Sequence, residues 1–595
     1  MTDPNDILAA ARVHGRQLTA RAIVAGMLLG GFMSLSNLYV ALKTGWSIGV
    51  SITAGILAYA IVAALFRLKL VRTHFGMLEN NAMQSVASAA GYMTGGGTVA
   101  AIPALMMITG EPMGGAQMFF WISAIAMLGV VMAIPMKQQM INVEGLRFPT
   151  GIAAAETLKA LHGAGGGAAK AKFLFRGGVM GAAVAFLRDA KAAWMPWNLP
   201  EKIKVPFIAL KGRPLADYTL SFEGSLIMLG AGAIMGFRAA WSMLLGALIN
   251  YALLAPVLYE QGVINAKLGY KHIVAWSVWF GSAMILTSGL LAFAFQWRTV
   301  VRAVQSVGSA FGGKQLTAEE KVEVPMLWFF IGVALLSPVV VFLEWFLFGV
   351  KVWMGALSVV LGFFIAIVAC RATGETDTTP TGALGKITQI TYGALDPGNM
   401  TTNLMTANVT GGVGLHAADL LTDLKSGYLL KADPRQQFWA QFFGVLAGSL
   451  FVVPAYRLLI PTADLLGTDK WPAPGAQTWK GVAELLAKGF STLHPTAQAA
   501  LGVGAVLGII LVLLEKALPK YKKYIPSPTG FGLAFTTPGF NTISMFIGAA
   551  LALWLEKRSP DTAERTVVPV SSGFIAGESL VGVLIAALVV AGLLN

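Results

Sequence analysis

Polar side chains that interrupt long apolar stretches are the residues of this chain best placed to do chemistry. Glu79, Asn80, Asn81 and Gln84 cluster at the start of one such stretch, with Asn80 and Gln84 on a common helical face at i,i+4. Glu156 and Lys159 stand three residues apart and can pair with each other. Lys386, Gln389, Tyr392 and Asp396 trace a rough stripe along a second interrupted segment. Polar groups are expensive in hydrocarbon and tend to be functional there. A buried carboxyl group accepts a proton because desolvation penalises its charged form. Glu79 and Glu156, with Asp396 third, are the acids that could bind a proton in this way.

A different chemistry attaches to "GLRFPTGIAAAE" at 145–156. Pro149 removes a backbone donor, Gly151 lets the chain turn, and a small-residue helix follows. The first turn of that helix has free N–H groups and positive dipole character, which suit a carboxylate or another anion. "RFPTGIAAA" at 147–155 is echoed by "PSPTGFGLA" at 526–534. In hydrocarbon, irregular backbone survives only when buried in protein or lining a wet cavity. Thr150, Gly151 and Thr529 are thus expected at two half-helix starts facing a cavity, with a simple kink as the alternative.

In "HAADLLTDLKSGYLLKADPRQQF" (416–438), His416, Asp419 and Asp423 recur at helical spacing. This pattern has the donor types of a metal or pyrophosphate–magnesium site. It reads better as the solvated face of an amphipathic helix, with Lys425 and Arg435 neutralising the acids. Asp419, Asp423, Lys425, Tyr428 and Arg435 are assigned a gating or structural role, and no metal ligands are assigned. Glu223, Glu344 and Glu578 lie near span ends and read as interfacial charges. No HExxH, Walker loop, paired Asp-rich motif or nucleophile elbow is present, so the chain does not read as an enzyme and no cofactor is expected.

The elements that must position these residues are membrane helices. The chain is 56% hydrophobic and 12% charged, with mean hydropathy +0.68; soluble domains carry about 25% charged residues. The basic pI near 9.7 reflects Lys and Arg between apolar segments, not a nucleic-acid partner. The single Cys370 excludes an internal disulfide framework and a Cys-rich metal site. The first helix reads as uncleaved, and no sizeable soluble domain is expected. Spans are expected at 19–42, 46–66, 115–136, 171–189, 221–238, 239–260, 273–297, 326–349, 352–371, 436–460, 495–517, 530–556 and 574–594. Interrupted segments lie between them at 79–109, 145–162, 380–414 and 526–540. Arg12, Arg16, Arg21 and "RLKLVR" (67–72) place the N-terminus in the cytoplasm. Basic "WRTVVR" (297–302) and "CRATGE" (370–375) fall inside if 145–162 is re-entrant, so charge bias favours that reading.

Two fainter echoes follow the same order as the Pro-Thr-Gly pair. "LKTGW" (42–46) parallels "RATGE" (371–375), and "NNAM" (80–83) parallels "TNLM" (402–405). Together they divide the chain into two related halves, 1–320 and 321–595, with the matched stretches in about 1–260 and 320–595. The first matched helices would run in opposite directions, giving an inverted repeat with a central site of broken helices.

"QLTARAIVAGMLLG" (17–30), "ENNAMQ" (79–84), "LRFPTGIAAA" (146–155) and above all "DLLTDLKSGYLLKADPRQQF" (419–438) resemble the oligopeptide transporter (OPT) family, in the branch of the yellow-stripe-like transporters and their prokaryotic relatives. The resemblance implies about sixteen transmembrane or re-entrant helical elements. It implies secondary active import of small peptides or peptide-like compounds, coupled to protons, with metal chelates as the alternative cargo and a passive channel as a third reading. It is compatible with a homodimer in a bacterial cytoplasmic (inner) membrane. The Asn-Pro-Gly signature of the eukaryotic peptide branch is replaced by "DPGNMTTN" (396–403). In this reading Asn80, Asn81, Gln84, Gln389, Tyr392, Asn403 and Asn541 bond the substrate's amides, and Thr150 and Thr529 hold its carboxylate.

Overall fold

The computed structural model describes residues 17–590 apart from 46–48, 96, 163–166, 191–196, 205–207, 265–267, 296–322, 377–378, 380, 490 and 492. Arg12, Arg16, the linker at 297–302 and the first residue of the 380–414 segment lie outside the described residues.

The N-terminal helices are α1 (Ala20–Thr44), α2 (Ser51–Arg67), α3 (Met77–Thr109), α4 (Gly115–Val143), α5 (Pro149–His162), α6 (Gly167–Asp189), α7 (Leu226–Met235), α8 (Phe237–Glu260) and α9 (Tyr270–Phe295). The C-terminal ones are α10 (Met326–Phe348), α11 (Val352–Thr376), α12 (Thr381–Leu395), α13 (Met400–Leu430), α14 (Pro434–Leu459), α15 (Pro474–Lys488), α16 (Pro495–Ala517), α17 (Pro528–Leu533), α18 (Gly539–Arg558) and α19 (Pro560–Val590). Eleven helices among the described residues are long and apolar enough to cross a membrane. The chain is an all-α multi-pass membrane protein.

Several boundaries differ from the hydropathy reading. The stretch 79–109 is helical on both sides of a π-helical turn at Gly97–Ala101. No helix begins at 221, because Phe222–Glu223 is a strand. Four short strands, β1 (Lys202–Ile203), β2 (Ala209–Leu210), β3 (Arg213–Pro214) and β4 (Phe222–Glu223), pair antiparallel as β1–β4 and β2–β3. They make a small lobe between α6 and α7. The segment 416–438 is not a solvated amphipathic helix. Its first part belongs to the 31-residue α13, about 46 Å long, which is buried along nearly its whole length. Around α13 pack α3, α4, α5, α11, α12, α14 and α15. By contrast, α10 leaves Phe330, Leu335, Trp345 and Phe346 uncovered, as a helix facing lipid would.

Helices on either side of residue 320 interlock: α6 packs on α19, α9 on α16, α7 on α18 and α3 on α14. The α6–α19 contact is close enough to require glycine. A Cβ on Gly577 would stand 1.9 Å from the Gly178 carbonyl oxygen, and one on Gly573 would stand 2.3 Å from that of Leu174. Small residues allow such backbone approach between membrane helices.

The glycines of the two Pro-Thr-Gly breaks are buried against neighbouring helices, while Pro149 and Thr529 are exposed. Phe148 takes a left-handed φ of 45° and its N–H donates to the Gly374 carbonyl at 2.9 Å. A Cβ on Gly151 would meet the Thr422 carbonyl oxygen at 2.5 Å, so the start of α5 is pressed against α13. At 14 residues, α5 rises about 21 Å, less than the ~30 Å hydrocarbon core. After the six-residue α17 the chain makes a 3-10 turn at Ala534–Thr536 and then extends, and the carbonyls there are satisfied by hydroxyls. Ser277 donates to Phe535 O at 2.7 Å, Tyr270 to Thr536 O at 2.8 Å and Tyr251 to Thr537 O at 2.8 Å. Protein groups supply here what water cannot supply at membrane depth.

Candidate functional site

Helix ends and the β lobe converge on one cavity of about 570 Å³, within the range usual for small-molecule sites. The last turn of α1, stopped by Gly45 at φ 78°, brings Tyr39 and Lys43. The end of α6 brings Arg188 and Asp189, and the lobe brings Glu201, Lys202 and Glu223. The loop between α14 and α15 adds Asp469, Lys470 and Trp471. Phe540 of α18 and Gly582 of α19 complete the wall.

The charges are of both signs and are held differently. Lys43 and Glu223 pair at 3.2 Å, with side chains only 11% and 8% exposed. Burial pushes the Glu223 carboxyl above the ordinary carboxylate range, and the Lys43 ammonium opposes that rise. Arg188 binds Asp189 in bidentate fashion at 2.7 and 2.6 Å, Glu578 at 2.6 Å and the Gly224 carbonyl at 2.8 Å. Glu578 also accepts from Ser225 Oγ and from the first N–H groups of α7, Leu226 and Ile227, at 2.7–3.0 Å. This carboxylate therefore stabilises the positive end of α7. Lys202 pairs with Asp469 at 2.6 Å, with side chains 35% and 45% exposed. Such a pair is worth ~0–1 kcal/mol, so a charged solute can displace it, whereas the Arg188–Glu578 pair is scaffold. Aromatic surfaces border the charges: Tyr39 and Trp471 meet edge to face at 5.0 Å, and Lys202 lies 4.3 Å from the Phe540 ring centre.

None of the side chains expected to bond substrate lines this cavity. Asn541 comes nearest, donating to the Lys43 carbonyl at 3.4 Å beside Phe540. Thr529 is exposed, and Thr150 is half-buried at the start of α5. Gln389 and Asn403 bond each other, Gln389 also donates to Trp479 O at 3.1 Å, and Tyr392 OH donates to Met354 O at 2.6 Å. These three join α12 to its neighbours. Asn80 donates to Gly55 O at 3.3 Å. Asn81 and Gln84 belong to a buried polar cluster with α13 and α14. There, Ser426 donates to Asn81 Oδ1 at 2.9 Å and Gln84 donates to Asp423 Oδ1 at 3.3 Å.

The expected proton carriers are occupied elsewhere. Glu79 accepts from Arg21 Nε at 2.6 Å and Nη2 at 2.5 Å, and from Thr19 Oγ1. Glu156 is 61% exposed and pairs with Lys159 at 2.9 Å. Asp396 lies in the turn between α12 and α13, 3.4 Å from Lys351. Lys425 and Lys137 each lie 5.8 Å from the Tyr428 ring centre; Lys137 bonds Glu323, and Arg435 donates to Glu323 O at 2.9 Å. Lys425, Tyr428 and Arg435 thus tie together the ends of α4, α13 and α14 and do not neutralise Asp419 or Asp423. Glu344 and Glu578 are buried within the protein, and Glu223 is half-buried beside the cavity. Glu344 bonds Ser358 Oγ at 3.1 and 3.0 Å.

The cavity's own charges escape a sequence reading because Lys43, Arg188 and Glu223 sit at the ends of separate segments, where charge usually marks the interface. Gln437 and Gln441 also went unremarked, although their i,i+4 spacing within an apolar helix is a signal.

A family model described as "OPT oligopeptide transporter protein" matches residues 17–589. Among curated proteins, a putative oligopeptide transporter of Saccharomyces cerevisiae is 24% identical, over 96% of this chain and 95% of its own. A putative oligopeptide transporter of Haemophilus influenzae is 26% identical over 93% of each chain. The iron-phytosiderophore transporter yellow stripe 1 of Zea mays is 24% identical, over 95% of this chain and 89% of its own.

Proposed function

Because the chain belongs to the OPT oligopeptide transporter family, we propose that it is a secondary active transporter importing small peptides or peptide-like compounds together with protons. The observation that carries this reading is the cavity of about 570 Å³ lined by Lys43, Arg188, Lys202 and Lys470 on one side of the charge balance and Asp189, Glu201, Glu223 and Asp469 on the other. A peptide in water carries an ammonium and a carboxylate, and a cavity with both signs can offer a partner to each. The exposed Lys202–Asp469 pair is the one that opens to admit it. Tyr39, Trp471 and Phe540 supply apolar surface for side chains. We place the protein in a bacterial cytoplasmic membrane with its N-terminus inside, a placement supported by the Haemophilus relative and the basic loops.

A metal chelate is the second reading. It is favoured by the name of the Zea mays relative and by the same mixed charge, since organic chelators of this kind bear several carboxylates and amines. Uptake into proteoliposomes, with and without an inward proton gradient, separates the readings. The cargos are labelled di- to tetrapeptides, glutathione and an iron chelate. The reading predicts accumulation of a peptide or glutathione only with the gradient. Accumulation of the chelate alone moves the assignment to the second reading, and equilibration without accumulation contradicts active transport.

A further inference from the structure

Away from the cavity, two buried acids face one another's surroundings with no cation. Asp419 and Asp423 lie one turn apart on one face of α13, both buried. Ser88 Oγ donates to Asp419 Oδ1 at 2.8 Å, Gln84 Nε2 to Asp423 Oδ1 at 3.3 Å, and Gln441 Nε2 to Asp423 Oδ2 at 2.8 Å. Every one of these donors is neutral. Of the charged groups on the surrounding helices, Lys137 bonds Glu323, Arg371 bonds Glu144, and Lys386 is buried with no ion pair among the described residues. His416 packs on Gly129 of α4, and Lys425 packs on Gly151 of α5. Glu79 at the start of α3 is held by Arg21. From α14 come only the amides of Gln437, which bonds the Asp423 carbonyl, and Gln441. Among the described residues no ion pair reaches Asp419 or Asp423.

Two ionised carboxylates about 5 Å apart repel by ~3 kcal/mol at an effective dielectric of 20. Without a cation, one proton relieves that repulsion. The hydrogen-bond inventory agrees. Asp419 Oδ2, Gln441 Oε1 and Gln437 Oε1 are buried acceptors without a donor, where buried polar atoms are normally paired. A proton on the pair supplies a missing donor as it removes a charge. A hard metal cation needs several oxygen ligands, and three of the four carboxylate oxygens already face N–H or O–H donors.

We infer that Asp419 and Asp423 form the proton-binding site of this protein, sharing one proton, with Gln84, Ser88 and Gln441 as positioning residues. The use of that proton in coupling rests on the transport reading; the binding itself does not. The helix α14 carries Gln441 near its start and ends at Leu458 and Leu459 in the cavity wall.

The test begins with infrared absorption of the purified full-length protein in lipid, titrated from mildly acidic to alkaline pH. The expected result is a protonated-carboxyl component in the wild type that disappears on alkalinisation and is lost from the spectrum of Asp419→Asn/Asp423→Asn, as read in the wild-type-minus-variant difference. If the double variant does not fold, either single variant should shift the band and its titration, because the remaining carboxyl no longer shares its proton. A band unchanged by these substitutions overturns the inference, as does one abolished by sodium at fixed pH, which would make the pair a sodium site. Uptake of the labelled peptides and glutathione then tests coupling. Asp419→Asn should lose gradient-driven accumulation while keeping exchange of labelled for unlabelled cargo, and wild-type accumulation by this variant contradicts the coupling role. If the wild type moves none of these cargos, the transport reading fails and the infrared result still judges the carboxylate pair.

Discussion

Arg188 holds three partners from different parts of the chain: Asp189 beside it, the Gly224 carbonyl and Glu578 of α19. Removing one member of a buried ion pair strands the other in a poor solvent, at a cost of ~3–5 kcal/mol. Arg188→Ala is therefore expected to lower the thermal unfolding temperature in detergent sharply, and Arg188→Ala/Glu578→Gln to recover part of the loss. Glu223 offers a pH signature. A carboxyl raised by burial binds its proton more tightly in the folded than in the unfolded chain. Its contribution to stability is present at low pH and is lost as pH climbs through the folded-state value. Thermal unfolding measured against pH should show a decline from acid toward neutral, and Glu223→Gln should flatten part of it. An identical slope in the variant would remove Glu223 from this role.

At the scale of elements, the α6–α19 contact is among the closest and can be tested directly. A Cβ on Gly577 has the Gly178 carbonyl 1.9 Å away, so Gly577→Ala must push two helices apart. A loss of ~1–3 kcal/mol is expected, typical of overpacking. Gly502→Ala on α16 is the control, since nothing lies within 4 Å of its Cβ position, and it should be neutral or slightly stabilising. Denaturation of both variants by heat checks the contrast. Elements were also where the sequence was most legible. Apolar length located helices such as α1, α10, α14 and α16, and Pro-Thr-Gly marked two real breaks. What those breaks face was not legible. The carbonyls after α17 are bonded by Tyr251, Tyr270 and Ser277, which come from α8 and α9, and only the folded chain brings them there.

For the whole molecule, the charged cavity was hidden for the same reason. Lys43 and Glu223 are 180 residues apart, and each alone resembles an interfacial charge at a helix end. Asp419 and Asp423 were visible as a helical pair, but their burial depends on α3 and α14 closing over them. The central claim is that the cavity between these helix ends is the path of the cargo. Its most direct test is uptake by proteoliposomes holding Lys43→Met/Glu223→Gln, a variant that removes both charges together and strands neither. The cargo is whichever of the labelled peptides, glutathione or iron chelate the wild type accumulates. Uptake should fall about tenfold or more, the equivalent of at least ~1.4 kcal/mol of lost interaction, with the unfolding temperature close to that of the wild type. Wild-type uptake by this variant would contradict the account and place the cargo's path elsewhere.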